Sequence, residues 1–268
     1  MDKDITIRPF HKGFLQAGGT IEKTPLVPNG KYLYKQLCSQ REKAFYEEIV
    51  SLPEWHSTGV VPSYYGIEKH DFGKGVMEYL KINNMLFNCH SPFVLDLKVG
   101  TQTWKPNATE AKIIHKQHKS ELLNAEHVGL RFCGMKRTIG DQVYSYDREL
   151  SEDEVIDRTK LKEMIRLFLF DGKKYEVEKI KIFDEKINRI IKAIDTKKFK
   201  FFGASVLLVY DADQKNINEK TDLRLIDFCY AWSLERESCQ EEDGVKFGLE
   251  NLKIILGEIR EEVANKKN

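Results

Sequence analysis

The alternation of apolar and polar positions divides the chain into a strand-rich first third and a mixed remainder. Before residue 81, short runs at 5–8, 14–16, 31–37, 60–66 and 75–80 read as extended, with hairpin turns at Gly18-Gly19 and Pro28-Asn29-Gly30. One helix interrupts them. Ser39 precedes helical spacing over 40–51, and Glu42 at the third position completes the pattern of a capping box. Residues 81–88 have no clear period and read as a loop. Beyond them the pattern predicts a strand over 92–100, a helix over 107–123 opened by Asn107 and Thr109, and a hairpin pairing 130–137 with 143–146 about Ile139-Gly140. Amphipathic helices follow over 152–170, broken near Asp157, and over 177–196. Strands over 203–210 and 222–227 are joined by the polar loop 211–221. A last helix over 244–264 is expected to bury Phe247, Leu249, Leu252, Ile255 and Ile259. The prediction is an α+β chain: a small β-rich lobe over 1–80, a hinge over 81–88 and a larger mixed lobe over 89–268, with a ligand cleft between the lobes.

The strand over 92–100 carries chemistry. Side chains alternate along it, so Asp96 and Lys98 share one face, while Phe93, Leu95, Leu97 and Val99 share the other. Charges on an otherwise apolar strand need a partner, water or a ligand in front of them. Asp-x-Lys alone arises by chance about once in a chain of this size, so its setting has to carry the reading. Three other patterns share that property. Lys35 stands in an aromatic strand, Tyr32-Leu33-Tyr34-Lys35, ahead of a helix bearing Glu42, where a lysine could hold nucleotide phosphates or make a surface ion pair. Asp227 ends the apolar strand Leu223-Arg224-Leu225-Ile226, where it could hold a metal or cap a turn. Lys112, Lys116 and Lys119, with His115 alongside, fall on one helical face that could be solvated, bind anions, or meet nucleic acid or an anionic membrane.

Composition narrows the class. The 268 residues are 41% hydrophobic and 32% charged, enough for one large or two small domains with a real core. A net charge of +1 argues against a general nucleic-acid coat. The 5 cysteines lack paired spacing, which predicts neither a zinc site nor a disulfide framework and points to a reducing compartment. The start of the chain lacks an apolar signal core, and no run approaches the roughly 20 apolar residues of a membrane span. The expectation is a monomer in the cytoplasm or nucleus, without membrane or nucleic-acid partners. No Gly-x-x-x-x-Gly-Lys-Ser/Thr is present, so Gln16-Ala17-Gly18-Gly19-Thr20 is not a Walker loop.

Taken together and in order, these motifs resemble the inositol polyphosphate kinase family. Pro92-x-x-x-Asp96-x-Lys98-x-Gly100 is similar to its signature. Glu42-Lys43-Ala44-Phe45-Tyr46-Glu47 matches the helix that follows its strand lysine, and Ile226-Asp227-Phe228 its Ile-Asp-Phe, which works like the Asp-Phe-Gly of protein kinases. Ala204-Ser205-Val206-Leu207-Leu208 resembles its Ser-Ser-Leu-Leu strand with the first serine replaced, leaving Ser205 as the only hydroxyl there. Gly129-Leu130-Arg131-Phe132-Cys133-Gly134-Met135 and the closing segment from Asp243 to Leu252 also match. The Gly100–Met135 stretch and Tyr210-Asp211 look most like the hexakisphosphate kinase branch.

The resemblance implies a two-lobed kinase-like fold related to protein kinases and ATP-grasp enzymes, with ATP and Mg2+ as cofactors and inositol phosphates as substrates. It implies that Lys35, fixed by Glu42, holds the nucleotide phosphates, that Asn83, Asn84 and Met85 contact adenine, and that Ser205 lies on the cofactor side. Asp227 becomes the magnesium ligand. Lys98 reaches both the transferred phosphoryl group and the accepting hydroxyl, while Asp96 binds ribose or orients the hydroxyl. Lys98, Lys112, His115, Lys116 and Lys119 would grip substrate phosphates, with Arg131, Lys136 and Arg137 adding charge. The expected reaction is transfer from ATP to inositol hexakisphosphate, giving a diphosphoinositol. Alternatives are a kinase for a less phosphorylated inositol and a non-catalytic inositol phosphate binder. Asn83 and Asn84 stand where relatives often place an acidic residue, and Tyr230 where they usually carry His or Lys.

Overall fold

A computed structural model describes residues 5–9, 15–17, 26–102, 104, 106, 109–110, 114, 125–147, 157–213 and 220–266. Its first lobe is a four-stranded antiparallel sheet of β2 (Leu26–Asn29), β3 (Tyr32–Gln36), β4 (Tyr64–Asp71) and β5 (Val76–Asn83), in the order β2-β3-β5-β4. β2 and β3 form the hairpin expected at Pro28-Asn29-Gly30, with Gly30 supplying a φ of 58°. Helix α1 (Gln40–Ile49) follows β3 and buries Phe45, Tyr46 and Ile49, and the short α2 (Pro53–His56) buries Trp55. These aromatic rings meet Phe199, Phe201 and Phe228 of the second lobe edge-on or tilted, so the two lobes share one core.

The second lobe is built on a six-stranded antiparallel sheet. Its strands are β1 (Ile5–Pro9), β6 (Pro92–Val99), β7 (Leu130–Ile139), β8 (Gln142–Asp147), β10 (Ser205–Asp211) and β11 (Thr221–Ile226), ordered β1-β8-β7-β6-β10-β11. A four-residue helix α3 (Ala125–Val128) precedes β7. Helices α4 (Arg158–Phe168), α5 (Lys179–Ile194) and α6 (Val245–Asn265) cover one face, packing on β6, β7, β11 and one another. Phe93, Leu95, Leu97 and Val99 of β6 point into that layer and are no more than 1% exposed. The opposite face carries Val94, Asp96 and Lys98 toward the first lobe, as the period-2 alternation predicts. Gly100, which closes the strand motif, has φ 111°, and a Cβ there would lie 2.5 Å from Asp243 O. Any side chain would push the start of α6 away from the sheet.

Several expectations need correction. The strand at 5–9 does not join the small lobe but pairs with β8 at the edge of the large sheet, Ile7 opposite Tyr144. Residues 15–17 are not a strand. At 60–66 the strand begins only at Tyr64, because Val60 O accepts the amide of Leu225 (2.9 Å) and ties this segment to the large sheet instead. β5 continues through Asn83, so the first three hinge residues are strand. Ser39 does not cap α1: its hydroxyl donates to Cys229 O (3.0 Å), and Glu42 turns inward, so no capping box forms. Phe247 is 43% exposed, while Val245, Gly248, Leu256 and Val263 join the buried side of α6. The sequence reading missed α2, α3 and the two-stranded sheet of β9 (Phe199–Phe201) and β12 (Ala231–Ser233). The break at Asp157 is the cap of α4, its carboxylate accepting from Lys160 N (2.8 Å). The helix expected over 107–123 lies largely outside the described residues.

Candidate active site

Between the lobes lies a cleft of about 390 Å3. Its upper wall comes from β2, β3 and β5: Leu33 and Lys35 share the inner face of β3, and Leu26 and Ile82 flank them. Its floor comes from the free face of the large sheet, with Val94, Asp96 and Lys98 of β6, Leu207 of β10 and Ile226 of β11. One half of the cleft is thus an apolar slot fit for a flat ring, and the other half is ionic.

The ionic half is one cluster. Lys35 Nζ donates to Glu42 Oε1 (2.7 Å) and to Asp227 Oδ1 (2.8 Å). Glu42 is 1% exposed and also accepts the amide of Phe228 (3.2 Å), so the first turn of α1 is fastened to the residue after Asp227. Burial alone would depress the Lys35 ammonium, but Asp227 and Glu42 outweigh it and hold its pKa well above the ordinary value. Asp227 shows the complement: burial pushes its carboxyl up, Lys35 and Lys98 push it down further, and the net shift is downward. Asp227 has φ 67°, a left-handed backbone that aspartate and asparagine tolerate better than most residues. The turn lets β11 end while its carboxylate stays in the cleft, with the side chain 40% exposed.

Across from this pair, Lys98 Nζ donates to Gly203 O (2.9 Å). Asp96 is 7% exposed, and its Oδ1 has no hydrogen-bond partner among the described residues. Burial and the nearby charge of Asp227 push the Asp96 carboxyl up to about 7, against the pull of Lys98. Ser205 lies next to this carboxyl, but it is 1% exposed and is not part of the cleft wall. The expectation that Ser205 meets the cofactor is corrected: strand alternation puts it on the right face, yet the side chain is almost wholly buried.

The raised Asp96 pKa has a consequence for stability. Its folded value, about 7, lies above the unfolded value of about 3.9, so the native state is destabilised as pH rises between the two. Asp96→Asn removes that penalty. The metal-free variant is expected to melt above the wild type at pH 8, with the gap closing toward pH 4. Thermal melts across that range check this, and a gap independent of pH would contradict it.

The hinge is narrower than the sequence suggests. Asn83 N donates to Ser63 O (3.0 Å) and Asn84 N to Lys31 O (2.9 Å), so neither amide is available to a base. The amide of Met85 has no such partner among the described residues. The asparagine side chains shape the turn instead. Asn83 Oδ1 accepts from Ser63 N (2.7 Å) and Arg224 Nη1 (2.8 Å), and Asn84 Oδ1 accepts from Leu86 N (3.0 Å). Asp211 secures the far end, accepting the amides of His90 (2.7 Å) and Ser91 (2.8 Å). Arg224 and Asp211 were missed as site residues because their sequence neighbours give no sign of a partner more than 100 positions away.

Of the expected substrate contacts, Lys112, His115, Lys116 and Lys119 lie outside the described residues. Arg131 stands opposite Lys98 on β7, brought there by a register shift between Asp96 and Leu97. Arg137 cannot serve: it is 4% exposed and donates to Tyr146 Oη (3.0 Å) and Phe170 O (2.5 Å). Lys136 donates to Ser145 Oγ (3.2 Å).

This arrangement matches known proteins. The sequence model of the inositol polyphosphate kinase family matches residues 79–257. Inositol hexakisphosphate kinase 3 of Mus musculus is 26% identical over a 231-residue alignment that covers 77% of this chain and 55% of the relative. Inositol hexakisphosphate kinase 1 of Saccharomyces cerevisiae is 28% identical over 57% of this chain and 15% of its own. Inositol polyphosphate multikinase of Mus musculus is 24% identical over 62% of this chain and 41% of its own. The chain therefore spans about half the length, or less, of these curated relatives. In fold, it superimposes on the S. cerevisiae inositol phosphate multikinase, solved with ADP and Mn2+, with a TM-score of 0.69 at 18% identity, covering 85% of this chain and 99% of that one. With a match over residues 79–257 of 268, the chain belongs to the inositol polyphosphate kinase family.

Proposed function

We propose that the protein transfers the γ-phosphoryl group of ATP to an inositol phosphate, and that inositol hexakisphosphate is the acceptor, giving a diphosphoinositol product. The observation that carries this reading is the half-buried ammonium of Lys35 between Glu42 and Asp227, facing Asp96 and Lys98 across one cleft. Membership of the family and the names of the hexakisphosphate kinase relatives support the acceptor.

The geometry suggests how each residue acts. The base enters the slot between Leu33 and Leu207 and takes a hydrogen bond from Met85 N. Lys35, pinned by Glu42, faces the nucleotide phosphates and keeps its charge without reorganising. The donor set fits Mg2+: one carboxylate, Asp227, has an oxygen not engaged by Lys35 and is open to the cleft, and Mg2+ is commonly held by one or two carboxylates together with substrate phosphates. When bound there, the ion would neutralise charge between the phosphates. Lys98 lies where charge develops on the transferring group, and releases Gly203 O to meet it. Asp96 can accept the proton of the attacking hydroxyl in its ionised form.

In the same reading Lys112, Lys116 and Lys119 hold substrate phosphates. Changing all three to Gln is expected to raise KM for the inositol phosphate, more for a hexakisphosphate than for a trisphosphate, and to leave KM for ATP unchanged. Each lost contact removes roughly 1.5–3 kcal/mol at most, less at high salt. Unaltered constants for both acceptors would return the three lysines to solvent. The substrate itself is tested by incubating the protein with magnesium ATP and inositol tris- to hexakisphosphates, resolved by strong anion exchange. Conversion of the hexakisphosphate to a more acidic species is the expected result. Exclusive conversion of a tris- or tetrakisphosphate would move the protein to the multikinase type, to which other relatives and the fold neighbours belong by name.

A further inference from the structure

A second cavity, of about 270 Å3, lies behind the hinge. Asn83, Asn84 and Met85 line both it and the nucleotide cleft, so the hinge is the wall between them. Its chemistry differs from that of the cleft. Lys31, Lys220 and Arg224 line it, against a single carboxylate, Asp222. That carboxylate is already neutralised, with Oδ1 on Lys186 Nζ (2.7 Å) and Oδ2 on Arg224 Nε (2.8 Å). Lys31 has no ion pair among the described residues and leans over the Tyr32 ring, 5.2 Å from its centroid. Lys220 Nζ donates to Phe87 O (2.7 Å), and two of its three protons have no other partner among the described residues. Tyr65 and Phe87, 51% and 38% exposed, form apolar sides. Excess positive charge beside aromatic rings in a concave site calls for an anion. At this volume, just below the range of drug-sized pockets, the occupant is small.

We propose that this cavity binds a phosphate group, free or at the end of a phosphate monoester, gripped by Lys31 and Lys220. The site is independent of the phosphoryl-transfer reading, since none of its cations belongs to the Lys35–Asp227 cluster. It adjoins the hinge directly: Lys31 O accepts the amide of Asn84, and Arg224 holds Asn83 Oδ1.

Amide resonances of the whole chain, followed while inorganic phosphate or phenyl phosphate is added, test this. Saturable shifts are expected at Lys31, Tyr65, Phe87 and Lys220, separable from any at Lys35, Asp96 and Asp227. Equal affinity for the two ligands identifies free phosphate as the fitting source; tighter binding of phenyl phosphate identifies an ester whose ring lies against Tyr65 and Phe87. The affinity is expected to fall at least tenfold in Lys31→Gln/Lys220→Gln and with added salt. Lys31→Gln alone, a change at an exposed residue, should weaken it in the same direction. Shifts confined to the cleft residues, or an affinity unchanged in the double variant, would overturn the proposal.

Discussion

Asp227→Asn is expected to leave the fold intact and to abolish metal-dependent turnover of ATP. Asparagine is the informative replacement because the position has φ 67°, which asparagine adopts more readily than alanine. Lys35 keeps its second partner, Glu42 at 2.7 Å, so no bare ammonium is stranded in the cleft. What is lost is the carboxylate proposed to hold a divalent ion against the phosphates, together with part of the charge that, with Glu42, keeps Lys35 firmly protonated. Losses on the order of 10²–10³-fold accompany removal of a single preorganised electrostatic group, and a metal ligand should lie at or beyond the upper end. Circular dichroism and thermal melting establish the fold, and ADP formation reads the activity. Turnover within a few-fold of wild type would remove Asp227 from the metal role.

Lys98→Ala is expected to lower kcat on the order of 10²-fold or more while changing nucleotide affinity only a few-fold. The ammonium is carried by β6, and among the described residues it donates to Gly203 O. In the proposed mechanism it contributes little to holding the base and meets charge that appears during transfer. Nucleotide binding and single-turnover rates measured on the same preparation separate the two effects. Weak nucleotide binding with a normal rate at saturation would make Lys98 a cofactor ligand only.

Much of the site was legible because its residues follow the rules of the elements that carry them. Period-2 alternation put Asp96 and Lys98 on the face opposite Leu95 and Leu97 before any tertiary contact was known. The pairing of Lys35 with Glu42 was legible because strand and helix are consecutive. What stayed hidden depends on contacts remote in sequence. Nothing local distinguishes a short strand at 5–9 that joins its neighbours from one that crosses to β8. Ser39 and Glu42 have the residue types of a capping box, but Cys229 and Phe228, nearly 190 positions away, offer each a partner. Ser205 was placed on the correct face and the wrong depth, since alternation gives side and not burial. Arg137 looked like substrate charge in a basic segment, yet Tyr146 and Phe170 O enclose it.

The central claim is that the Lys35, Asp96, Lys98 and Asp227 cluster moves a phosphoryl group from ATP onto an inositol phosphate. It is tested most directly by phosphorus NMR of inositol hexakisphosphate incubated with magnesium ATP and the protein. The account predicts a new pair of coupled diphosphate resonances on the inositol, growing in step with ADP and absent with Asp227→Asn. ADP accompanied only by inorganic phosphate, with every inositol phosphate unchanged, would contradict it.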